Sequence, residues 1–226
     1  MTDTRDHWDK VYGAKKPTEV SWYQREAALS LRLIRRAVAD RSAPIIDVGG
    51  GTSTLVDGLL AEGYGNVTVL DISATALALA RARLGGAAAR VTWVEADILT
   101  ARLPPAGYEV WHDRAVFHFL TDATHRRLYV EQVRRAVRIG GHVMVATFAK
   151  DGPTLCSGLE VARYAPDELH AQFGADFQLI EDAREEHHTP GGAAQPFVYC
   201  LCRMAATGAA SPQASAQRAR GNPSRE

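Results

Sequence analysis

The sequence predicts an α/β fold in which a mostly parallel sheet is covered by helices on both faces and closed by a C-terminal antiparallel strand pair. Short, nearly continuous apolar runs alternate with segments of helical periodicity, as expected for parallel strands joined by crossover helices. The last two strand-like runs are separated only by "HHTPGGAA". That connection is too short for a crossover helix, so these strands are predicted to be antiparallel.

The predicted elements follow in a regular order. The first helix is amphipathic, with Leu29, Leu33 and Val38 near helical spacing. Five strands then alternate with three helices, in the order "PIIDV", "STLVDGLLAEG", "NVTVLDIS", "ATALALARARLGG", "RVTWVEAD", "YEVWHDRAV", "DATHRRLYVEQVRRAVRIGG" and "HVMVATFA". Glycines predict the helix ends, the last one at Gly140 and Gly141. The closing strands are "FQLIEDAREE" and "QPFVYCLCRM".

The length of 226 residues suits one domain with additional segments. We expect an aromatic N-terminal lid segment and a helix over residues 1–42, and the α/β domain over residues 43–204. Residues 205–226 consist mostly of small and polar residues with almost nothing to bury. They are predicted to form a disordered tail.

Charge and cysteine content restrict the partners. Lys plus Arg and Asp plus Glu are both 26, so no global field attracts nucleic acid or an anionic membrane. No stretch approaches the ~20 apolar residues of a membrane span. The three cysteines are too few and irregular for a disulfide framework, and the polar N-terminus lacks the core of a signal peptide. We therefore expect a cytoplasmic protein with no nucleic-acid or membrane partner.

The segment "IIDVGGGTST", residues 45–54, predicts a ligand site. It lies at the end of the first strand and leads into a helix, where ligands bind in open parallel sheets. Gly49 and Gly51 would allow the backbone to approach a ligand closely. A glycine-rich turn without a ligand is the alternative.

Two further acidic residues favour a ligand. Asp71 ends the second strand about 20 residues after Gly51, where an acid that binds ribose hydroxyls is found. Asp97 ends the third strand. A single Asp would more often cap a helix, but three strand-end acids, counting Asp47, beside a glycine loop indicate one adenosine.

The loop argues against two common nucleotides. A nicotinamide dinucleotide site needs a third glycine, and Thr54 stands at that position. Asp47 suits a cationic ligand group and would repel a diphosphate. The absence of G-K-[ST] argues against a P-loop.

In order and spacing, "IIDVGGGTS", "VTVLDIS", "VEADI" and "YEVWHDRAVFHFL" resemble the successive motifs of class I S-adenosylmethionine-dependent methyltransferases. The resemblance covers roughly Ala43 to Met204 and implies a Rossmann-like, seven-stranded sheet. Thr52 and Ser53 depart from the usual [DE]-x-G-x-G-x-G loop. The N-terminal "TEVSWYQ" resembles the thiopurine-methyltransferase-like branch and some protein-lysine methyltransferases.

The resemblance implies S-adenosylmethionine as the cofactor and S-adenosylhomocysteine as the product. It places the methionine part against the glycine loop, the ribose on Asp71 and the adenine between the second and third strand ends. The cofactor-binding residues it implies are Asp47, Gly49, Gly51, Asp71, Ile72, Asp97, Ile98 and His112, with Trp22 and Tyr23 from the aromatic N-terminus.

Methyl transfer is an in-line displacement, so a base is needed only when the acceptor arrives protonated. His112, Asp113 and His118 are the candidate catalytic residues, because they follow the fourth strand where the acceptor should lie. A packed histidine is the alternative for His118. Arg114 is predicted to pair with Asp113 or to bind a carboxylate.

The acceptor site is expected at the aromatic N-terminus and in the loop after the fifth strand. Its candidate residues are Trp8, Tyr12, Arg114, Arg163 and Tyr164, and Cys156 and Ser157 are further candidates in the same loop. The aromatic residues either form a lid or fasten the N-terminus to the sheet. Cys200 and Cys202 share one strand face and are expected to be packed cysteines, so no metal is predicted.

The predicted function is methyl transfer to a nitrogen, oxygen or sulfur atom of a small molecule, by a monomer or weak dimer. A protein-lysine acceptor is the first alternative. A non-catalytic S-adenosylmethionine-binding module and a nicotinamide oxidoreductase are two further alternatives.

Overall fold

The computed structural model describes residues 4–206. These residues form six α-helices and nine strands. In chain order they are α1 (Thr4–Ala14), α2 (Ala28–Ala37), β1 (Ile45–Val48), α3 (Leu55–Ala61), β2 (Val67–Asp71), α4 (Ala74–Leu84), β3 (Val91–Glu95), β4 (Tyr108–Arg114), α5 (Ala123–Ala136), β5 (Val137–Phe148), β6 (Leu155–Cys156), β7 (Leu159–Glu160), α6 (Pro166–Ala171), β8 (Phe177–His188) and β9 (Ala194–Met204).

A seven-stranded sheet in the order β3-β2-β1-β4-β5-β9-β8 forms the centre of the fold. The first five strands are parallel, and β9 pairs antiparallel with both β5 and β8. The predicted fold class is therefore confirmed. The strand order reverses between β1 and β4, and this is where a parallel sheet opens a crevice for a ligand.

Helices cover both faces because alternate residues of the inner strands point to opposite sides. Ile45 of β1 belongs to the apolar cluster beneath α2 and α3. Its neighbour Ile46 belongs to the cluster beneath α5, where Trp111 donates a hydrogen bond to the Tyr129 hydroxyl. Both β1 residues are fully buried, so the glycine loop that follows them starts from a rigid strand.

Two elements differ from the predictions. Helix α5 ends at Ala136, before the double glycine, because Val137 already has extended torsions and opens β5. Gly140, with φ +83°, instead lies where the β4–β5 register shifts, so the glycines mark a strand irregularity. The N-terminal segment also contains α1, which the sequence pattern did not reveal.

The predicted disordered tail lies outside the described residues, apart from Ala205 and Ala206. Over residues 4–206, none of the helices combines the length and the apolar character that crossing a bilayer requires.

Candidate active site

A cavity of about 330 Å³ lies at the carboxyl ends of the parallel strands. Its walls include the ends of β1, β2, β3 and β4, and the N-terminal helix α1 contributes to them. The predicted residues that line it are Trp8, Tyr12, Trp22, Gly49, Asp71, Ile72, Asp97, Ile98 and Arg114. Nine predicted site residues from five separated segments therefore meet in one cavity.

The two acids after β2 and β3 form one end of this cavity. Asp71 Oδ1 accepts a hydrogen bond of 2.8 Å from the Ser73 N–H, and Asp97 Oδ1 accepts one of 2.9 Å from the Leu99 N–H. Burial raises the pKa of Asp71 to about 7, and the nearby Asp47 carboxylate adds to the rise. Each carboxylate oxygen can accept more than one hydrogen bond, so both acids retain acceptor capacity for a ligand.

The glycine loop needs its glycines for two different reasons. Gly49 has φ +67°, and an added Cβ would lie 2.0 Å from a methyl group of Val116. At Gly51, with φ +42°, a Cβ would lie 2.7 Å from the Tyr12 hydroxyl and 3.0 Å from Asp71 Oδ2. Gly51 is not among the residues that line this cavity, but it gives Tyr12 and Asp71 the space they occupy.

A smaller cavity of about 40 Å³ adjoins the glycine loop, with Trp22, Gly49 and Arg114 shared between the two. The predicted residues Tyr23, Asp47 and His112 line this second cavity.

A buried hydrogen-bonded chain lies at the smaller cavity. Asp47 Oδ1 lies 2.7 Å from His112 Nδ1, and His112 Nε2 lies 2.9 Å from Ser30 Oγ. The other oxygen of Asp47 is buried without a protein partner. A buried carboxylate oxygen in that state suits a hydrogen-bond donor or a cationic group of a ligand.

Aromatic side chains also line the main cavity. The Trp8 ring lies 5.1 Å from Phe119 and 5.8 Å from Trp22, and Tyr12 lies 5.8 Å from Trp22, all measured between ring centroids. Their edge-to-face arrangement is favourable for aromatic pairs.

Helix α1 is fastened over the cavity by polar contacts. Asp9 Oδ1 accepts hydrogen bonds from Ser73 Oγ at 2.6 Å and from the Thr75 N–H at 3.1 Å, at the N-terminus of α4. An ion pair joins Arg5 to Glu95 at the end of β3. The aromatic N-terminus is thus both attached to the sheet and part of the cavity wall.

Arg114 does not pair with Asp113. Its Nε donates to the Tyr199 hydroxyl at 2.9 Å and its Nη2 to Glu185 at 3.3 Å. The guanidinium also lies 4.1 Å from the Phe197 ring centroid.

Asp113 is fully buried and has a structural set of partners. Its carboxylate accepts from the Tyr129 hydroxyl at 2.5 Å and from the N–H groups of Val116 and Phe117. Burial raises the pKa of Asp113 to about 6. The carboxylate thereby fixes the turn that follows β4.

The structure does not bring three other predicted residues to either cavity. His118 is fully buried between Phe119 and Phe148, and burial lowers its pKa to about 3, which favours the packing role. Arg163 donates to backbone carbonyls of the loop after β5. Tyr164 packs in the core against Phe117.

Several cavity residues were missed by the sequence reasoning. They include Thr4, Val48, Leu70, Val116, Phe119, Leu120 and His125 in the main cavity and Ser30 in the smaller one, whereas the loop candidate Cys156 does line the main cavity. Most are apolar side chains that look like ordinary core residues in a sequence. Phe119 was noted only as a neighbour of His118.

Cys200 and Cys202 are packed cysteines, as predicted. Both are buried, and their sulfur atoms lie 3.1 Å apart on the β9 face beneath α5. Within residues 4–206, no three potential ligands from His, Cys, Asp and Glu lie close enough together to hold a metal ion.

Residues 45–141, which contain the glycine loop and the acidic strand ends, match the family described as "Methyltransferase domain". These residues are therefore similar to methyltransferase domains. The similarity agrees with the predicted family, and the matches do not specify the branch.

Curated proteins that are similar to this chain are also named as methyltransferases. An uncharacterised methyltransferase of Mycobacterium tuberculosis is 36% identical over 119 residues, which are 51% of this chain and 54% of that protein. The chain thus spans about half the length of the curated relatives it matches first. The EEF1A lysine methyltransferase 2 of Homo sapiens is 22% identical over 204 residues, with 84% of this chain and 80% of that protein covered.

A solved structure has the same fold. The 1,6-didemethyltoxoflavin-N1-methyltransferase of Burkholderia thailandensis, with bound 1,6-didemethyltoxoflavin and S-adenosylhomocysteine, matches with a TM-score of 0.64 and 18% identity. The match covers 90% of this chain and 84% of that one.

Proposed function

We propose that the protein is a catalytic methyltransferase that uses S-adenosylmethionine to methylate a small molecule. The observation that carries this proposal is a single cavity lined by two carboxylates at the strand ends and by a group of aromatic rings. Asp71 and Asp97 suit the two halves of an adenosine, and Trp8, Trp22 and Phe119 suit a sulfonium and an apolar acceptor.

The residues present fit the cofactor. Asp71 would bind the ribose hydroxyls, Ile72 and Ile98 would pack on the adenine, and Gly49 would admit the methionine part. The unpartnered oxygen of Asp47 would accept a bond from the cofactor ammonium, directly or through water.

The cofactor itself supplies an activated methyl group, so the protein contributes alignment and the exclusion of water. Helix α1 closes one side of the cavity through its Asp9 contacts, and the aromatic rings displace water from the transfer path. His112 orients Asp47 and stays within the smaller cavity, where it acts as a positioning residue.

A small acceptor is favoured because α1 forms part of the cavity wall and leaves limited room beside a cofactor. The alternative acceptor is a protein lysine, and the similarity to EEF1A lysine methyltransferase 2 over most of both chains favours it. A lysine chain would enter the same aromatic end.

The test combines binding with transfer. We expect S-adenosylmethionine to bind in calorimetry and Asp71→Asn to weaken that binding about tenfold or more, through the loss of charge-assisted bonds. Arg184→Gln, an exposed substitution outside both cavities, is the matched control.

The methyl-labelled cofactor is then incubated with a cell extract that has been separated by size. Label in the small-molecule fraction is the expected result. Label confined to a protein band would support the lysine alternative. Cofactor binding without label in any fraction would contradict the catalytic proposal.

A further inference from the structure

The main cavity has an end that the cofactor groups named above do not use. We call it the acceptor end and define it by Trp8, Trp22, Arg114, Phe119 and Cys156, which all line the cavity. Arg114 is the last residue of β4 and also lines the smaller cavity beside Gly49. An acceptor held there would therefore lie next to the methionine part of the cofactor.

The titratable groups at this end are poor proton acceptors. The guanidinium of Arg114 is a permanent cation. Burial raises the pKa of the Cys156 thiol to about 11, so the thiol keeps its proton. Burial also raises the pKa of the neighbouring Tyr12 phenol well above its ordinary value, and the Asp71 carboxylate adds to the rise.

Two of the three histidines near the sheet edge are not placed to act as a base at this end. His112 has Asp47 on one ring nitrogen and Ser30 on the other. His118 lies outside both cavities. His125 lines the main cavity but is exposed in the first turn of α5, and the His125→Gln variant described below tests it as a base.

Arg114 brings a buried guanidinium to the acceptor end, where it forms an ion pair with Glu185. Its bonds to the Glu185 carboxylate at 3.3 Å and to the Trp22 carbonyl at 3.4 Å are both long. Its side chain is 9% exposed, which leaves the guanidinium little contact with solvent. The titratable groups that face or influence it are His118, Cys156, Glu185, His187 and Tyr199. The weakly held Nη atoms retain donor capacity for an anion.

We propose that the acceptor is a small molecule whose nucleophile is already an anion, a thiolate or a carboxylate, held beside Arg114 between aromatic rings. This inference rests on the methyltransferase function proposed above. The lone pair of the anion forms a bond to the methyl carbon, and the carbon–sulfur bond of the sulfonium breaks with its electrons returning to sulfur. The products are a thioether or methyl ester and S-adenosylhomocysteine. No proton is transferred, so the lack of a base at this end has no cost.

The first test uses the full-length protein with four probes. They are thiophenol, benzoate, benzylamine, which is similar in size to the first two, and a lysine-containing peptide. We expect transfer to thiophenol or benzoate, and the two products distinguish a sulfur from an oxygen acceptor. With thiophenol the rate should rise with pH along the ionisation of the thiol and then level off. Faster transfer to benzylamine or the peptide than to thiophenol or benzoate would overturn this inference but not the proposed methyl transfer. Label in the small-molecule fraction of the cell extract without transfer to thiophenol or benzoate would overturn the inference alone. No transfer to any probe together with no label in any fraction of the extract would overturn the proposed catalysis and the inference with it.

The second test separates the role of Arg114 from cofactor binding. Arg114→Gln should raise the KM for the anionic probe about tenfold or more, since a charge-assisted contact is lost. The Kd for S-adenosylmethionine should change less than about twofold. Arg114→Lys, which keeps the charge, should retain more of the activity and controls for misfolding. The matched control Arg184→Gln replaces an exposed arginine that also pairs with a carboxylate.

Two results of these variants would overturn the inference. In the first, Arg114→Gln raises the Kd for S-adenosylmethionine and leaves the KM for the acceptor unchanged. Arg114 would then bind the cofactor carboxylate. In the second, His125→Gln loses most of the turnover while its KM stays unchanged. His125 would then act as a proton acceptor.

Discussion

His112 Nδ1 and Asp47 Oδ1 lie 2.7 Å apart, and both side chains are buried. The two residues are partners in the parallel register of β1 and β4, so their side chains point to the same side of the sheet. Ser30 of α2 lies 2.9 Å from the other ring nitrogen. The sheet, the helix that covers it and the acid beside the glycine loop are therefore connected by one imidazole.

His112→Ala should lower the free energy of unfolding by about 1–3 kcal/mol, because Asp47 and Ser30 would both lose a buried partner. It should also weaken cofactor binding, since the Asp47 carboxylate would no longer be oriented. Denaturant unfolding and calorimetry measure the two effects. Ser30→Ala removes only the outer bond and should cost less. An unchanged midpoint in His112→Ala would contradict the positioning role.

Cofactor affinity should depend on the ionisation of Asp71. The ribose hydroxyls donate to the carboxylate form, whereas the free carboxyl has a pKa raised to about 7 by burial. Binding must therefore release a proton below this pH, and affinity should rise as the pH increases to about 7 and then level off. Calorimetry from pH 5.5 to 8.5 measures the effect. The difference in cofactor affinity between wild type and Asp71→Asn should increase over this pH range. A difference that does not change with pH would refute the assignment of Asp71 to the ribose.

Gly49→Ala should impair both folding and cofactor binding. The added methyl would meet Val116 at 2.0 Å in a backbone with φ +67°. Gly63→Ala is a matched control, because Gly63 has φ +88° but open space around the added Cβ. The control should lose only ~1–2 kcal/mol from the left-handed torsion. Equal losses in the two variants would contradict the importance of the Val116 contact.

His118 should make the protein less stable in mild acid. A histidine in the unfolded chain titrates near pH 6.5, whereas burial lowers the pKa of His118 to about 3. Between these values the unfolded state binds the extra proton, so this contribution to stability falls as pH decreases below about 6.5.

The variant His118→Leu isolates this contribution. Asp71 and Asp113 have raised pKa values and act in the opposite direction, but they are present in both proteins. The stability of wild type relative to His118→Leu should therefore decrease from pH 7 to pH 5 in denaturant unfolding. Activity should persist in the variant, and its loss would support the catalytic assignment of His118.

The fold could be predicted because its determinants are local. Apolar runs of strand length, helix periodicity and the short "HHTPGGAA" connection define the alternation and the final antiparallel pair. The end of α5 was misplaced because a double glycine terminates helices and also permits strand irregularities. Only the pairing of Val137 with Tyr108 distinguishes the two cases.

The site could be predicted only in part. Gly49, Asp71 and Asp97 follow strands, and the topology alone brings them together. Phe119 reaches the cavity through tertiary packing that no local pattern records, whereas the position of Cys156 in the loop after the fifth strand made it a candidate. Arg114 also shows this dependence, because its partners Glu185 and Tyr199 come from the antiparallel strands at the far end of the chain.

All three cysteines of the chain are buried, so the reactivity of their thiols reports on local and global unfolding. A thiol-reactive dye should leave the native protein largely unlabelled and should react as segments unfold. Cys156 lies in the hairpin formed by β6 and β7, whereas Cys200 and Cys202 lie in the main sheet. Labelling kinetics followed by peptide mapping would therefore distinguish local opening of the loop beside the cavity, reported by Cys156, from unfolding of the central sheet, reported by Cys200 and Cys202.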